Sequence, residues 1–251
     1  MISKGRIKLI RSLEQKKYRR QEGLFVAEGP KIVSDLLSGG FVPRMIIGTS
    51  CHLSAHQYGE SEIVEVTEEE LRKVSFLQHP QNILGVFEMK RESSQPPALD
   101  GKQLSLVLDG IQDPGNLGTI IRIADWFGIE TIFCSHETAD AYNPKVVQAT
   151  MGSLARVNII YTDLEMLIDS VGRNIPVYGT FLDGKSIYEE QLSDGGLIVM
   201  GNEGNGISAE IRRRITHRLL IPNYPKGRNT ADSLNVAIAT AITCAEFRRR
   251  I

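Results

Sequence analysis

The chain has 251 residues, 41% hydrophobic and 24% charged, with a formal net charge of −1. That is room for one large or two ordinary domains, in the balance of a soluble globular protein. No apolar run reaches the ~20 residues of a bilayer span, and the basic N-terminus lacks a signal peptide's apolar core, so neither a membrane protein nor a secreted one is expected.

A helix is predicted over Arg6–Arg20, where Ile7, Ile10 and Leu13 recur at three-residue spacing. Between Met1 and Arg20 lie eight cations and one anion, Glu14, while six glutamates between Glu60 and Glu70 hide that basic end in the total. Clustered cations suit phosphate contacts, because neutralised phosphates release counterions, although a solvated helix face has the same composition. A helix over Gly29–Leu37 follows Phe25-Val26-Ala27. Strands over Arg44–Gly48 and Ile63–Val66, a helix over Glu68–Ser75 and a strand over Ile83–Glu88 complete a small α/β unit.

Arg91–Leu99, with its Pro96-Pro97 pair, reads as a break. Beyond it, strands over Leu104–Asp109, Thr131–Cys134, Val157–Ile160, Val177–Thr180, Leu197–Met200 and Arg218–Ile221 alternate with helices. The helices are expected at Gly115–Phe127, Pro144–Met151, Leu164–Val171, Ser208–Ile215 and Ser233–Arg250. Such alternation predicts a parallel sheet covered on both faces, with ligands at the carboxyl ends of the strands. The expected division is therefore 1–95, a linker at 96–103, and 104–251. Cys51, Cys134 and Cys244 have no CxxC spacing, and they read as reduced core thiols of a cytoplasmic protein with no metal site.

Three loops at strand ends carry unusual chemistry. Asp109–Arg122 (DGIQDPGNLGTIIR) is glycine-rich and opens a helix with backbone N–H groups exposed. Asn116 is either its cap or a functional amide, and Arg122 projects away from the apolar face. Gly201–Ser208 (GNEGNGIS) has the spacing GxxGxG, not the GxGxxG of a dinucleotide site, and a turn does not require Glu203. In the third loop, before DSLNVAIA, Asp232 or Ser233 is the expected N-cap. That leaves Asn235 as a polar group without a folding role, above a stripe of Leu234, Ile238, Ile242 and Ala245 predicted to be buried. Gly179–Ser186 (GTFLDGKS) formally matches a phosphate-binding loop, but Phe181 and Leu182 are poor material for wrapping phosphate and no magnesium-binding Asp follows the next strand.

Together, NLGTIIRIADWFG, MGNEGNGIS and IPN followed by SLNVAIATAI resemble the three motifs of the SpoU (TrmH-type) branch of the SPOUT RNA methyltransferases. LFVAEGPKIVSDLL is similar to the small RNA-binding domain found in many members. The resemblance implies a deep trefoil knot in the C-terminal domain, a feature too rare for any sequence pattern to predict. It implies a homodimer, S-adenosylmethionine as cofactor, and methyl transfer to a ribose 2′-hydroxyl of RNA, ribosomal in preference to transfer RNA. By the same resemblance Arg122 acts at the 2′-oxygen, and Asn116, Glu203, Ser233 and Asn235 complete the catalytic set. Thr180, Gly201, Ile221 and Leu234 hold the cofactor, and Lys16, Lys17, Arg19 and Arg20 are the candidate RNA contacts. A P-loop NTPase and an inactive RNA-binding protein are the alternatives.

Overall fold

In the computed structural model, the described residues are 2–53, 58–59, 61–90, 99, 101–172, 174–225, 228 and 231–249. Residues 91–98 and 100, which include most of the expected break and linker, lie outside them, as does Arg250. The first elements are α1 (Lys4–Ser12), α2 (Lys16–Glu22), β1 (Leu24–Glu28), α3 (Pro30–Ser38), β2 (Pro43–Gly48), α4 (Ser50–Leu53), β3 (Glu62–Glu65), α5 (Glu68–Val74) and β4 (Ile83–Glu88). There follow β5 (Leu104–Asp109), α6 (Pro114–Trp126), β6 (Thr131–Cys134), α7 (Pro144–Thr150), β7 (Asn158–Tyr161) and α8 (Leu164–Ser170). The chain closes with β8 (Val177–Ser186), β9 (Gly196–Gly201), α9 (Ala209–Arg212), β10 (His217–Leu220) and α10 (Val236–Arg249).

Two compact units result: Met1–Arg91 with Asp140–Arg156, and Glu92–Ala139 with Val157–Ile251. The segment Asp140–Arg156, assigned from sequence to the C-terminal domain, therefore packs in the first unit, where α7 lies against β1. Burial and ion pairing draw it there. Asp140 accepts from the buried Arg19, and Arg156 pairs with Asp35 at 3.5 Å.

In the first unit the sheet order is β1-β4-β2-β3, with β4 antiparallel to both neighbours and β3 parallel to β2. Ile10, Leu13, Val26, Ile47, Leu71 and Leu84 fill its core. The single helix expected over Arg6–Arg20 is two. The Ser12 hydroxyl turns back onto the Leu9 carbonyl oxygen at 2.6 Å, and Gln15 is extended before α2 begins. Such a local side-chain bond competes with helix continuation.

The second unit holds a six-stranded sheet in the order β10-β8-β9-β5-β6-β7, parallel throughout as the alternating pattern predicted. Its central strands β5 and β9 are near-continuous buried runs, as strands covered on both faces should be. Cys134 and Cys244 are free and buried, and burial pushes the Cys244 thiol up to about 12.

The GTFLDGKS segment is no phosphate loop, because all of it belongs to β8. Consecutive residues Arg218 and Leu219 of β10 pair with Gly179 and Lys185, so Thr180–Gly184 bulges out of the ladder. An added Cβ on Gly184 would stand 2.6 Å from the Leu219 carbonyl carbon, so only glycine lets the strands rejoin. Phe181 is flanked by the guanidinium groups of Arg212 and Arg218, 4.8 and 4.6 Å from its ring, and Asp183 pairs with both arginines.

Candidate active site

The loops after β5, β9 and β10 leave one edge of the parallel sheet, and hydrogen bonds lock the first two together. Asp109, the last residue of β5, accepts the Ser208 N–H at 2.7 Å. Asn202 donates through Nδ2 to the Gly110 carbonyl oxygen at 2.7 Å, while its Oδ1 accepts from the N–H groups of Gly204 and Asn205. Asn202 and Gly206 also exchange both backbone bonds at 2.9 Å, closing the second loop on itself. The close approach requires Gly201: an added Cβ would lie 2.3 Å from the Gly206 carbonyl carbon.

Within this frame three predicted side chains meet. Asn116 donates through Nδ2 to Glu203 Oε1 at 2.9 Å, and Asn235 donates through Nδ2 to Asn116 Oδ1 at 2.9 Å. One residue from each loop thus enters a single chain of bonds ending on a carboxylate. The amide orientations are mutually consistent, since each amide group uses a donor toward the acidic end.

Two caps differ from expectation. Asp113, not Asn116, caps α6, accepting the Asn116 N–H at 2.8 Å, and this releases the Asn116 amide for the cluster. Asn235, not Asp232 or Ser233, stands before α10, where its Oδ1 accepts from the N–H groups of Ala237 at 3.0 Å and Ile238 at 3.3 Å. The side chain that seemed to lack a folding role has one, and a second besides. The predicted stripe on α10 is inverted as well. Leu234 and Ile238 are 51% and 53% exposed and Ala245 is exposed, while Thr240, Thr243 and Glu246 are buried. The threonine hydroxyls bond back to the carbonyl oxygens of Val236 and Ala239, which lets that face sit inward.

Arg122 is exposed, with no hydrogen-bond or ion-pair partner among the described residues. It follows Asn116 by six residues, which turns it about 120° away around α6, so it stands outside the bonded cluster. It shares a stripe with Trp126, which is 85% exposed. Ser233 is also exposed and outside the cluster. Of the predicted cofactor positions, Thr180 lies at the start of the β8 bulge, Gly201 ends β9, and Ile221 follows β10 directly. Leu234 precedes the Asn235 cap.

Residues 103–245 match the SpoU rRNA Methylase family. This chain belongs to that family. Residues 4–85 match the MRM3-like substrate binding domain, so the SpoU methylase carries both parts in one chain. It is 30% identical over 246 residues to the 23S rRNA (guanosine(2553)-2′-O)-methyltransferase RlmP of Bacillus subtilis, covering 97% of this chain and 96% of that one. A TrmH-family structure from Porphyromonas gingivalis superposes with a TM-score of 0.90 at 43% identity, each chain covered in full. An AdoMet-bound rRNA methyltransferase structure from Sinorhizobium meliloti gives 0.87 at 32% identity, covering 100% of this chain and 97% of that one.

In the SpoU methylase's first unit, Lys16, Lys17 and Arg20 are exposed. Arg19 is not a surface cation: it is 1% exposed, bonded through Nε to Asp140 at 3.0 Å and through Nη1 to the carbonyl oxygens of Leu13 and Glu14. A guanidinium so buried and so engaged is not presented to a phosphate on the surface. Sequence reasoning missed Asn202, although an Asn beside glycines in NEGNG has the makings of a turn that bonds its own backbone.

Proposed function

We propose that this enzyme methylates ribosomal RNA at a ribose 2′-hydroxyl, with the three loops at the sheet's carboxyl edge as the catalytic site. It is an S-adenosylmethionine-dependent RNA methyltransferase of the SpoU family. The observation that carries the residue assignment is the bonded chain Asn235–Asn116–Glu203, which joins polar side chains of three loops through bonds that no single loop needs for its own fold.

The residues fit the cofactor. Thr180–Gly184 stands outside the β8–β10 ladder, so its main-chain donors and acceptors are not committed to β10. Gly201, Ile221 and Leu234 add uncharged main chain nearby in the fold, which suits a ligand held by its polar edges. S-adenosylmethionine, when bound, supplies an electrophilic methyl group on its sulfonium. The chain's own part is to place the ribose oxygen in line and to stabilise the charge it develops. Arg122 stabilises that developing alkoxide, since a guanidinium stays protonated and is poorly suited to act as a base. Asn116, Glu203, Ser233 and Asn235 orient the ribose.

Residues 1–95 together with Asp140–Arg156 form the RNA-binding part, 96–103 the linker and the rest of 104–251 the catalytic domain, whose last two loops form a trefoil knot. RNA meets the exposed cations Lys16, Lys17 and Arg20. The enzyme works in the cytoplasm as a homodimer. Supporting the dimer, α6 and α10 pack on each other and carry exposed Trp126 and Ile238, with exposed Leu234 just before α10, an apolar surface of the kind that marks an interface.

Arg122→Ala tests the assignment. Methyl transfer should fall about 10²–10³-fold, as when other preorganised charge stabilisers are removed, while calorimetry shows unchanged cofactor affinity. Undiminished turnover removes Arg122 from the mechanism. Mapping 2′-O-methyl groups in RNA from cells with and without the protein identifies the target, and a change confined to transfer RNA would refute the ribosomal assignment.

A further inference from the structure

The loop from Ile221 to Asn235 does more than connect β10 to α10. Because β10, β8, β9 and β5 are parallel, it departs from the same sheet edge as the loops carrying Asn116 and Glu203. Among its described residues, Asn223 donates through Nδ2 to the Arg228 carbonyl oxygen at 3.2 Å, and the Arg228 N–H donates to the Pro225 carbonyl oxygen at 3.1 Å. Between the bonded Asn223 and Pro225, Tyr224 has 89% of its surface exposed. Neither its ring nor its hydroxyl has a partner among the described residues.

An aromatic ring held in water contributes nothing to the fold, yet when covered it buries about 150–250 Å². The company it keeps indicates what covers it. Asn223–Ala231 (NYPKGRNTA) contains two cations and no acid, and Arg228 is exposed. An exposed ring among cations is how single-stranded RNA is held, by stacking on the base and neutralising the phosphate. Tyr224 follows Ile221 by three residues, so it lies within about 11 Å of it, in reach of a base next to the ribose being methylated.

We infer that Tyr224 is a stacking platform for a nucleobase adjoining the methylated nucleotide, with Arg228 meeting a phosphate beside it. The inference rests on the RNA methyltransferase reading of the site, and it concerns how the substrate strand is gripped rather than how the methyl moves.

The test compares full-length wild type, Tyr224→Ala and Tyr224→Phe. Binding to 5′-labelled single-stranded adenosine and uridine dodecamers is followed by anisotropy, cofactor affinity by calorimetry and oligomeric state by sedimentation. Tyr224→Ala should bind the adenosine dodecamer about tenfold more weakly, with its preference over the uridine dodecamer reduced. Tyr224→Phe should bind as wild type does, and all three should keep the same cofactor affinity. Unchanged dodecamer binding by Tyr224→Ala overturns the inference. So does a loss of cofactor affinity, which would put Tyr224 in the cofactor site, or a changed oligomeric state, which would make it a protein contact. A wild type that transfers no methyl to total RNA from cells lacking the protein refutes the enzymatic reading itself, and the inference falls with it.

Discussion

Asn235 joins its side-chain amide to Asn116, 119 residues earlier, at 2.9 Å, while its carbonyl oxygen caps α10. One side chain thus fixes both the start of α10 and the first turn of α6. Asn235→Asp keeps the capping oxygen and loses the donor toward Asn116, so stability should hold while methyl transfer falls about tenfold to a hundredfold from misplacement. Asn235→Ala should lose the same activity and also about 1 kcal/mol of stability with the cap. Denaturant unfolding beside initial rates separates the two, and an Asp variant as active as wild type would show that the bond to Asn116 is incidental.

The cations of α2 divide into two kinds, which substitution should reveal. Arg19→Met leaves Asp140 without its partner in a nearly dry site and should cost about 3–5 kcal/mol. Replacing Lys16, Lys17 and Arg20 together with Gln should leave thermal stability intact and weaken RNA binding. The log–log salt slope should shrink by about 0.7–0.9 for each phosphate that is no longer neutralised. An unchanged slope would reduce the three to a solvated face.

If α6 and α10 form the dimer face, a charge on it should split the dimer. Ile238→Glu places a carboxylate on a residue 53% exposed in the single chain, so the fold should tolerate it. Sedimentation should then show monomers where wild type shows dimers. Wild type sedimenting as a monomer at micromolar concentration would dispose of the dimer.

Glu28 should give the first unit a dependence on pH. Burial pushes its carboxyl above the ordinary 4.5, although bonds from the Ser75 hydroxyl and the Phe76 N–H, and the charge of Arg11, pull the other way. The unfolded chain therefore ionises first as pH rises. The stability linked to Glu28 is fully present below pH 4.5 and is lost as pH climbs through the folded value. The stability of Glu28→Gln relative to wild type should rise from pH 4.5 toward neutrality. A relative stability that falls over that range would mean the bonds outweigh burial.

The parallel sheet was legible because runs such as LSLVLD and LIVM have to be buried on both faces. Pairing between distant residues was not legible. Arg19 looks like its solvated neighbours, and only Asp140, 121 residues away, draws it inside. Asp232, Ser233 and Asn235 are all competent caps, and the bond from Asn235 to Asn116 accompanies the helix start that the structure adopts. α10 carries apolar residues on both flanks, and back-bonded threonine hydroxyls make its inward face look polar in sequence. The β8 extension was hidden because Asp183, Gly184 and Lys185 break the alternation by which a strand is recognised.

The chain passes between its two compact units three times, so the first unit includes Asp140–Arg156 as well as the N-terminal residues. That bears on heredity. A recombination event that grafted residues 1–95 onto another methylase core would carry the buried cation Arg19 away from the carboxylate that neutralises it. Descent should therefore keep the N-terminal unit and its distant Asp140–Arg156 insert together, changing as a matched pair even though β5, α6 and β6 lie between them in sequence.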